Sequence, residues 1–174
     1  VRSRTRSLSQ PEPPGGTLVI ICAPNVLTPE ELGVIRNELQ AASFVDGAST
    51  AGWSAREVKK NLQVDIDTES QARLRDIVRD AFLRNAMLQA STLPSAMTQV
   101  MFNRYDVGMQ YGRHVDAPVM GGLGSAVRTD VAITLFLSDP KSYAGGDLVV
   151  ENNGVEYGFK LDAGSAIAYP ANSL

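Results

Sequence analysis

Asn103-Arg104-Tyr105-Asp106-Val107-Gly108-Met109-Gln110-Tyr111-Gly112-Arg113-His114-Val115-Asp116 is the stretch whose reading decides the fold. Asp106-Val107-Gly108 is a turn signal between two segments of strand character, Thr98 to Tyr105 and Tyr111 to Val115. The second carries His114, the only histidine among 174 residues, with Asp116 two places on. On a strand, side chains at i and i+2 project to one face, so this imidazole and carboxylate can meet a single ion. They make two-thirds of a 2-His-1-carboxylate triad, which leaves positions open on iron(II). By spacing alone, a plain hydrogen-bonded pair is the commoner outcome.

Further short strands follow at Val131 to Leu137, Leu148 to Glu151, Val155 to Leu161 and Ser165 to Tyr169. Ala144-Gly145-Gly146-Asp147, Asn152-Asn153-Gly154 and Asp162-Ala163-Gly164 separate them, and Asn153-Gly154 suits a two-residue hairpin. Gly145-Gly146 reads as a tight turn rather than a ligand contact. Alternation places Thr134 and Phe136 together on the inner face, against Ile133, Leu135 and Leu137.

Upstream the pattern changes to helical. Thr28-Pro29-Glu30-Glu31 reads as a capped start, with Pro29 in the first turn and Glu31 closing a capping box. Thr68 opens a second helix, over residues 68–83, with Gln71 at the box position. Its Leu74, Ile77, Val78, Ala81 and Phe82 form one apolar face that packs on the larger sheet. Thr17 to Ala23 reads as a buried strand. Two helices ahead of closely spaced strands give an α+β domain with an antiparallel barrel or jelly-roll core. Residues 17–174 form that domain. Residues 1–16, with Arg2, Arg4 and Arg6 ahead of a Pro/Gly-rich run, form a disordered, dispensable tail.

Composition narrows the rest. The chain is 44% hydrophobic, ordinary for a globular domain, and has no apolar run long enough to span a bilayer. A formal net charge of −3 disfavours a sequence-independent hold on nucleic acid. The single Cys22 excludes an intrachain disulfide and a multi-cysteine metal site. The expectation is a cytoplasmic protein, without nucleic-acid or membrane partners, able to form a homo-oligomer.

The stretch 103–116, together with Arg128-Thr129-Asp130, Thr134-Leu135-Phe136-Leu137-Ser138-Asp139 and Gly145-Gly146-Asp147-Leu148, resembles the prolyl/lysyl-hydroxylase-type iron(II)/2-oxoglutarate dioxygenases. Phe44-Val45-Asp46-Gly47, Thr50-Ala51-Gly52, Val58-Lys59-Lys60-Asn61 and Phe102-Asn103-Arg104-Tyr105 are similar more narrowly to the bacterial PKHD-type hydroxylases, and the likeness runs from about Leu27 to Leu174. The resemblance implies a double-stranded β-helix in which His114 and Asp116 bind Fe(2+). It implies hydroxylation of a C–H bond of a peptide prolyl or lysyl residue or of a small molecule. 2-Oxoglutarate would be converted to succinate and CO2, with ascorbate as reductant. Tyr105 matches a tyrosine that lines the 2-oxoglutarate pocket, or it packs beneath the barrel. Thr134 is a second candidate cosubstrate contact. Phe136 stands where some relatives carry a tyrosine, so that hydroxyl is absent. Arg113 either meets an anionic substrate at the pocket mouth or is solvated.

The family pattern also calls for a second histidine ligand and, about one strand later, a basic residue for the cosubstrate's far carboxylate. No histidine follows Asp116. Both are expected just beyond Leu174, which implies a chain lacking its last two core strands and inactive by itself. The alternative is a degenerate β-helix that serves as a non-catalytic binding or sensing module.

Overall fold

The computed structural model describes residues 19–50, 53–65, 69–122, 124–152 and 154–173. The expected tail and the Thr68 cap lie outside the described residues. In chain order the elements are β1 (Ile21–Ala23), α1 (Pro29–Ala41), β2 (Phe44–Asp46), α2 (Trp53–Arg56), β3 (Lys59–Lys60) and β4 (Leu62–Val64). Then come α3 (Glu69–Arg84), α4 (Ala86–Thr92), β5 (Asn103–Arg104), β6 (Gln110–Tyr111), β7 (Val119–Met120) and β8 (Val127–Arg128). The chain continues through β9 (Val131–Leu135), β10 (Leu148–Asn152), β11 (Val155–Phe159) and β12 (Ala166–Pro170).

Helix α1 starts where its capping chemistry dictates. The Thr28 hydroxyl accepts from the Glu31 amide at 3.2 Å, and the Glu31 carboxylate accepts from the Thr28 amide at 2.9 Å. Arg84, ending α3, donates to the Glu31 carboxylate at 2.7 Å and to the Val26 carbonyl at 3.2 Å, so the two helices share an end. On the other side of α1, Arg36 Nε donates to the Leu137 carbonyl at 2.6 Å, fixing the helix to the chain leaving β9. Asn85 caps the short α4 by accepting from the Leu88 amide at 3.0 Å.

The central sheet runs β1-β12-β9, antiparallel throughout, with Ala166 opposite Leu135 and Ala168 opposite both Ile133 and Ile21. Its outer face meets the helices. Ala23, Ala166 and Ala168 join Ile35, Leu74, Ala81, Phe82 and Leu88 in one core, and Ile77, Val78 and Leu135 pack against it. Small alanines on the sheet admit the large side chains of the helices. Fully burying a side chain such as Leu74 or Leu88 stabilises the fold by about 1.5–3 kcal/mol each. The expected apolar face of α3 is therefore buried where the sequence placed it. Gly145 and Gly146 have φ of 66° and 68°, the left-handed turn expected of them.

Several expected strands are shorter. Thr98 to Tyr105 contributes only Asn103–Arg104, and Tyr111 to Val115 keeps only Tyr111, paired within Gln110–Tyr111. The Gly112 amide makes the last ladder-like bond, to the Val58 carbonyl at 2.9 Å. Beyond it, the Gly112 carbonyl is taken by His114 Nδ1 rather than by a ladder partner. Strands β2, β3 and β4 and helices α2 and α4 were not expected from the sequence.

Candidate metal centre

Although no regular strand carries them, His114 and Asp116 face one another, with His114 Nε2 3.5 Å from Asp116 Oδ1. The other imidazole nitrogen, Nδ1, lies 2.7 Å from the Gly112 carbonyl. A carbonyl only accepts, so Nδ1 carries a proton, and Nε2 is the nitrogen turned toward the Asp116 carboxylate. Two electron-pair donors aimed at one point suit a divalent cation. The same two donors also favour a proton between them. Burial works against the charged imidazole, but the hydrogen bonds to Asp116 and Gly112 outweigh it and raise the His114 pKa above its ordinary value. The donor set thus fits a metal. Among the described residues no group of three or more His, Cys, Asp or Glu side chains could hold one.

The loop is held on several sides. Tyr111, at the end of β6, stacks on His114 with ring centroids 3.5 Å apart and planes 11° from parallel. Lys59, its cross-strand partner on β3, is buried and places Nζ 5.3 Å from the Tyr111 ring centre. Arg113 is exposed, as a solvated arginine would be, and it also takes part in ion pairs. It pairs with Glu151, and its Nη1 lies 3.1 Å from Glu156 Oε1. Those two glutamates oppose one another across β10 and β11, and Arg113 offsets their repulsion.

Tyr111 and Tyr169 lie close enough to Asp116 to feel its charge, and Tyr105 and Thr134 adjoin them. Tyr105 lies just past β5 and is 47% exposed, more open than a side chain packed under a barrel. Burial raises its pKa, and a hydrogen bond with Asn61 works the other way. Thr134 sits on the sheet face opposite the helical core, hydrogen-bonded to Tyr169 of β12. Tyr169 is itself raised by burial and by Asp116. Burial, then Asp116, Tyr105 and Tyr169, push the Tyr111 phenol up to about 12. All three phenols are therefore neutral hydrogen-bonding groups at neutral pH. Phe136 is buried, and its amide donates to the Ser165 carbonyl at 2.9 Å.

Sequence reasoning missed Tyr111, Tyr169 and a buried polar row formed by Lys59, Asn61 and Gln63. Asn61 and Gln63 both donate to Asn103 Oδ1, at 3.0 and 2.8 Å. The available signal was the i, i+2 spacing of that row and the three-residue step from Tyr111 to His114.

The fold is the double-stranded β-helix, or jelly roll, of the prolyl hydroxylases. A crystal structure of a Pseudomonas putida prolyl-4-hydroxylase superposes with a TM-score of 0.60 at 16% identity, covering 90% of this chain and 82% of that one. The chain belongs to the PKHD-type hydroxylases. It is 44% identical over 158 residues to the PKHD-type hydroxylase of Paracoccus denitrificans, covering 90% of this chain and 70% of the relative. A Picosynechococcus PKHD-type hydroxylase is 46% identical over 151 residues, 87% of this chain and 67% of its own. No family model matches the chain. No helix among the described residues is long and apolar enough to cross a membrane.

Proposed function

We propose that this protein is an iron(II)/2-oxoglutarate-dependent hydroxylase acting on a prolyl or lysyl side chain of a peptide or on a small molecule. His114 and Asp116 supply two iron ligands, and a histidine C-terminal to Leu174 supplies the third. The observation that carries the reading is the orientation of His114: Nδ1 is tied back to Gly112, and Nε2 is directed at Asp116 across 3.5 Å. Family membership gives that geometry its chemical direction.

Iron(II) with 2-oxoglutarate and oxygen supplies the oxidation of an unactivated C–H bond to an alcohol, with succinate and CO2 as co-products. The residues here bind and orient. Gly112 holds the Nδ1 proton, so Nε2 is the nitrogen left to ligate once it has lost its own. Asp116 contributes a charged oxygen donor. Tyr105 and Thr134 offer neutral hydroxyls for the cosubstrate, and a basic residue beyond Leu174 takes its far carboxylate. Burial of Phe136 and Ile167 keeps that side of the sheet dry. Ascorbate is the expected reductant, and a reducing cytoplasm the expected setting.

Succinate release under iron(II), 2-oxoglutarate, ascorbate and oxygen tests the reading, on these 174 residues and on the protein carried through the further length its relatives have. The longer protein is expected to release succinate and the shorter chain far less. His114→Ala and Asp116→Ala in the longer protein are each expected to abolish release with circular dichroism unchanged. Succinate release at the wild-type rate from either variant would refute the ligand assignment.

A further inference from the structure

We propose that Tyr111 is a positioning residue for the metal: its ring fixes the plane of the His114 imidazole, so that Nε2 meets the ion without a search over ring rotations. This rests on the iron-ligand reading of His114. The torsion that swings an imidazole about its own stem is soft and broad, unlike the staggered torsions nearer the backbone. One hydrogen bond from Nδ1 to the Gly112 carbonyl restrains that torsion, yet it leaves the ring free to tilt about the bond. A parallel ring at 3.5 Å removes the tilt, because any departure from the 11° plane angle breaks van der Waals contact over the whole face.

Tyr111 is itself well placed to act as a fixed plate. It closes β6, opposite Lys59 in the β3 register, and the Gly112–Val58 hydrogen bond continues the pairing one residue further. Gly112 is also the residue whose carbonyl holds Nδ1. The same short ladder therefore sets both restraints on His114, one from the backbone and one from the side chain. A Cβ at position 112 would come within 3.0 Å of the Val58 Cβ, which shows how closely the two segments lie. The buried Lys59 ammonium, 5.3 Å from the Tyr111 ring centre, adds a cation beside the plate. The ring face, not the phenolic hydroxyl, does the positioning, so phenylalanine should serve as well as tyrosine.

The test is anaerobic titration of the full-length protein with iron(II) alone, read by calorimetry, beside thermal melts of the metal-free protein. Tyr111→Phe should bind iron(II) within about twofold of wild type. Tyr111→Leu should bind about 10-fold to 100-fold more weakly, the range typical of losing an outer-shell partner of a metal ligand. Its metal-free melting temperature should stay near that of Tyr111→Phe. Tyr111→Val, which suits a strand, replaces the leucine variant should that one not fold. Wild-type affinity in the aliphatic variants would overturn the inference while leaving the ligand assignment intact. Equal weakening in Tyr111→Phe would overturn it too, by shifting the role to the hydroxyl. No iron binding by wild type, or undiminished binding by His114→Ala, would overturn the ligand assignment and this inference with it.

Discussion

The two faces of the β1-β12-β9 sheet are built from alternate residues of the same strands and do opposite work. Ala166, Ala168 and Leu135 face the helices and pack in the apolar core. Their neighbours Ile167, Tyr169 and Thr134 turn to the other side, where Tyr169 and Thr134 hydrogen-bond near Asp116. One residue of slip between β9 and β12 would put hydroxyls into the core and alanines at the site. The helical core therefore sets the register on which the metal side depends, whereas the metal side asks little of the core.

Breaking the core face should have the largest effect on stability. Phe82 is 4% exposed at the centre of the core, and Phe82→Ala should cost about 3–5 kcal/mol in chemical denaturation. The fraction that stays folded should still bind metal, because this core lies on the sheet face opposite Tyr169 and Thr134. A smaller loss is expected on the site face. Thr134→Val keeps the shape but removes the hydroxyl that meets Tyr169, at about 0.5–1.5 kcal/mol. Cosubstrate affinity should fall with it, which Phe82→Ala should not produce. A core variant that lowered cosubstrate affinity at full folding would show that the faces are not separable.

The smallest effect is a pH dependence with two opposite signs. The folded, metal-free protein holds the His114 pKa above 6.5, so protonation favours the folded state. That stability is fully present below pH 6.5 and is lost as pH rises through the raised value. Metal binding needs the neutral imidazole and so weakens as pH falls through the same range. Melting curves without metal and iron(II) titrations, both followed from pH 5.5 to about 8, should move in opposite directions. Parallel movement would mean that His114 is not the group being titrated.

Local chemistry made much of this legible in the sequence. Thr28 and Glu31 cap α1 through bonds three residues apart, and the i, i+3, i+4 pattern from Leu74 to Phe82 states which face of α3 is buried. The pairing of Asn152 with Val155 likewise joins the two strands that the expected hairpin signal separates. His114 and Asp116 were legible by spacing and by resemblance, although the regular strand expected to carry them ends at Tyr111. Non-local arrangements were not legible. Lys59, Asn61 and Gln63 look like an exposed polar run, and only pairing with β5 and β6 buries them. Tyr169 reaches the site through the β9–β12 register, across more sequence than any local pattern spans.

The central claim is that Nε2 of His114 and the Asp116 carboxylate share one iron ion. Anomalous diffraction at the iron absorption edge, from crystals grown anaerobically with iron(II), tests it most directly. A single peak within bonding distance of both Nε2 and an Asp116 oxygen, with Nδ1 still on the Gly112 carbonyl, is the expected result. A peak elsewhere in the molecule, or His114 and Asp116 hydrogen-bonded to each other with iron(II) in excess, would contradict it.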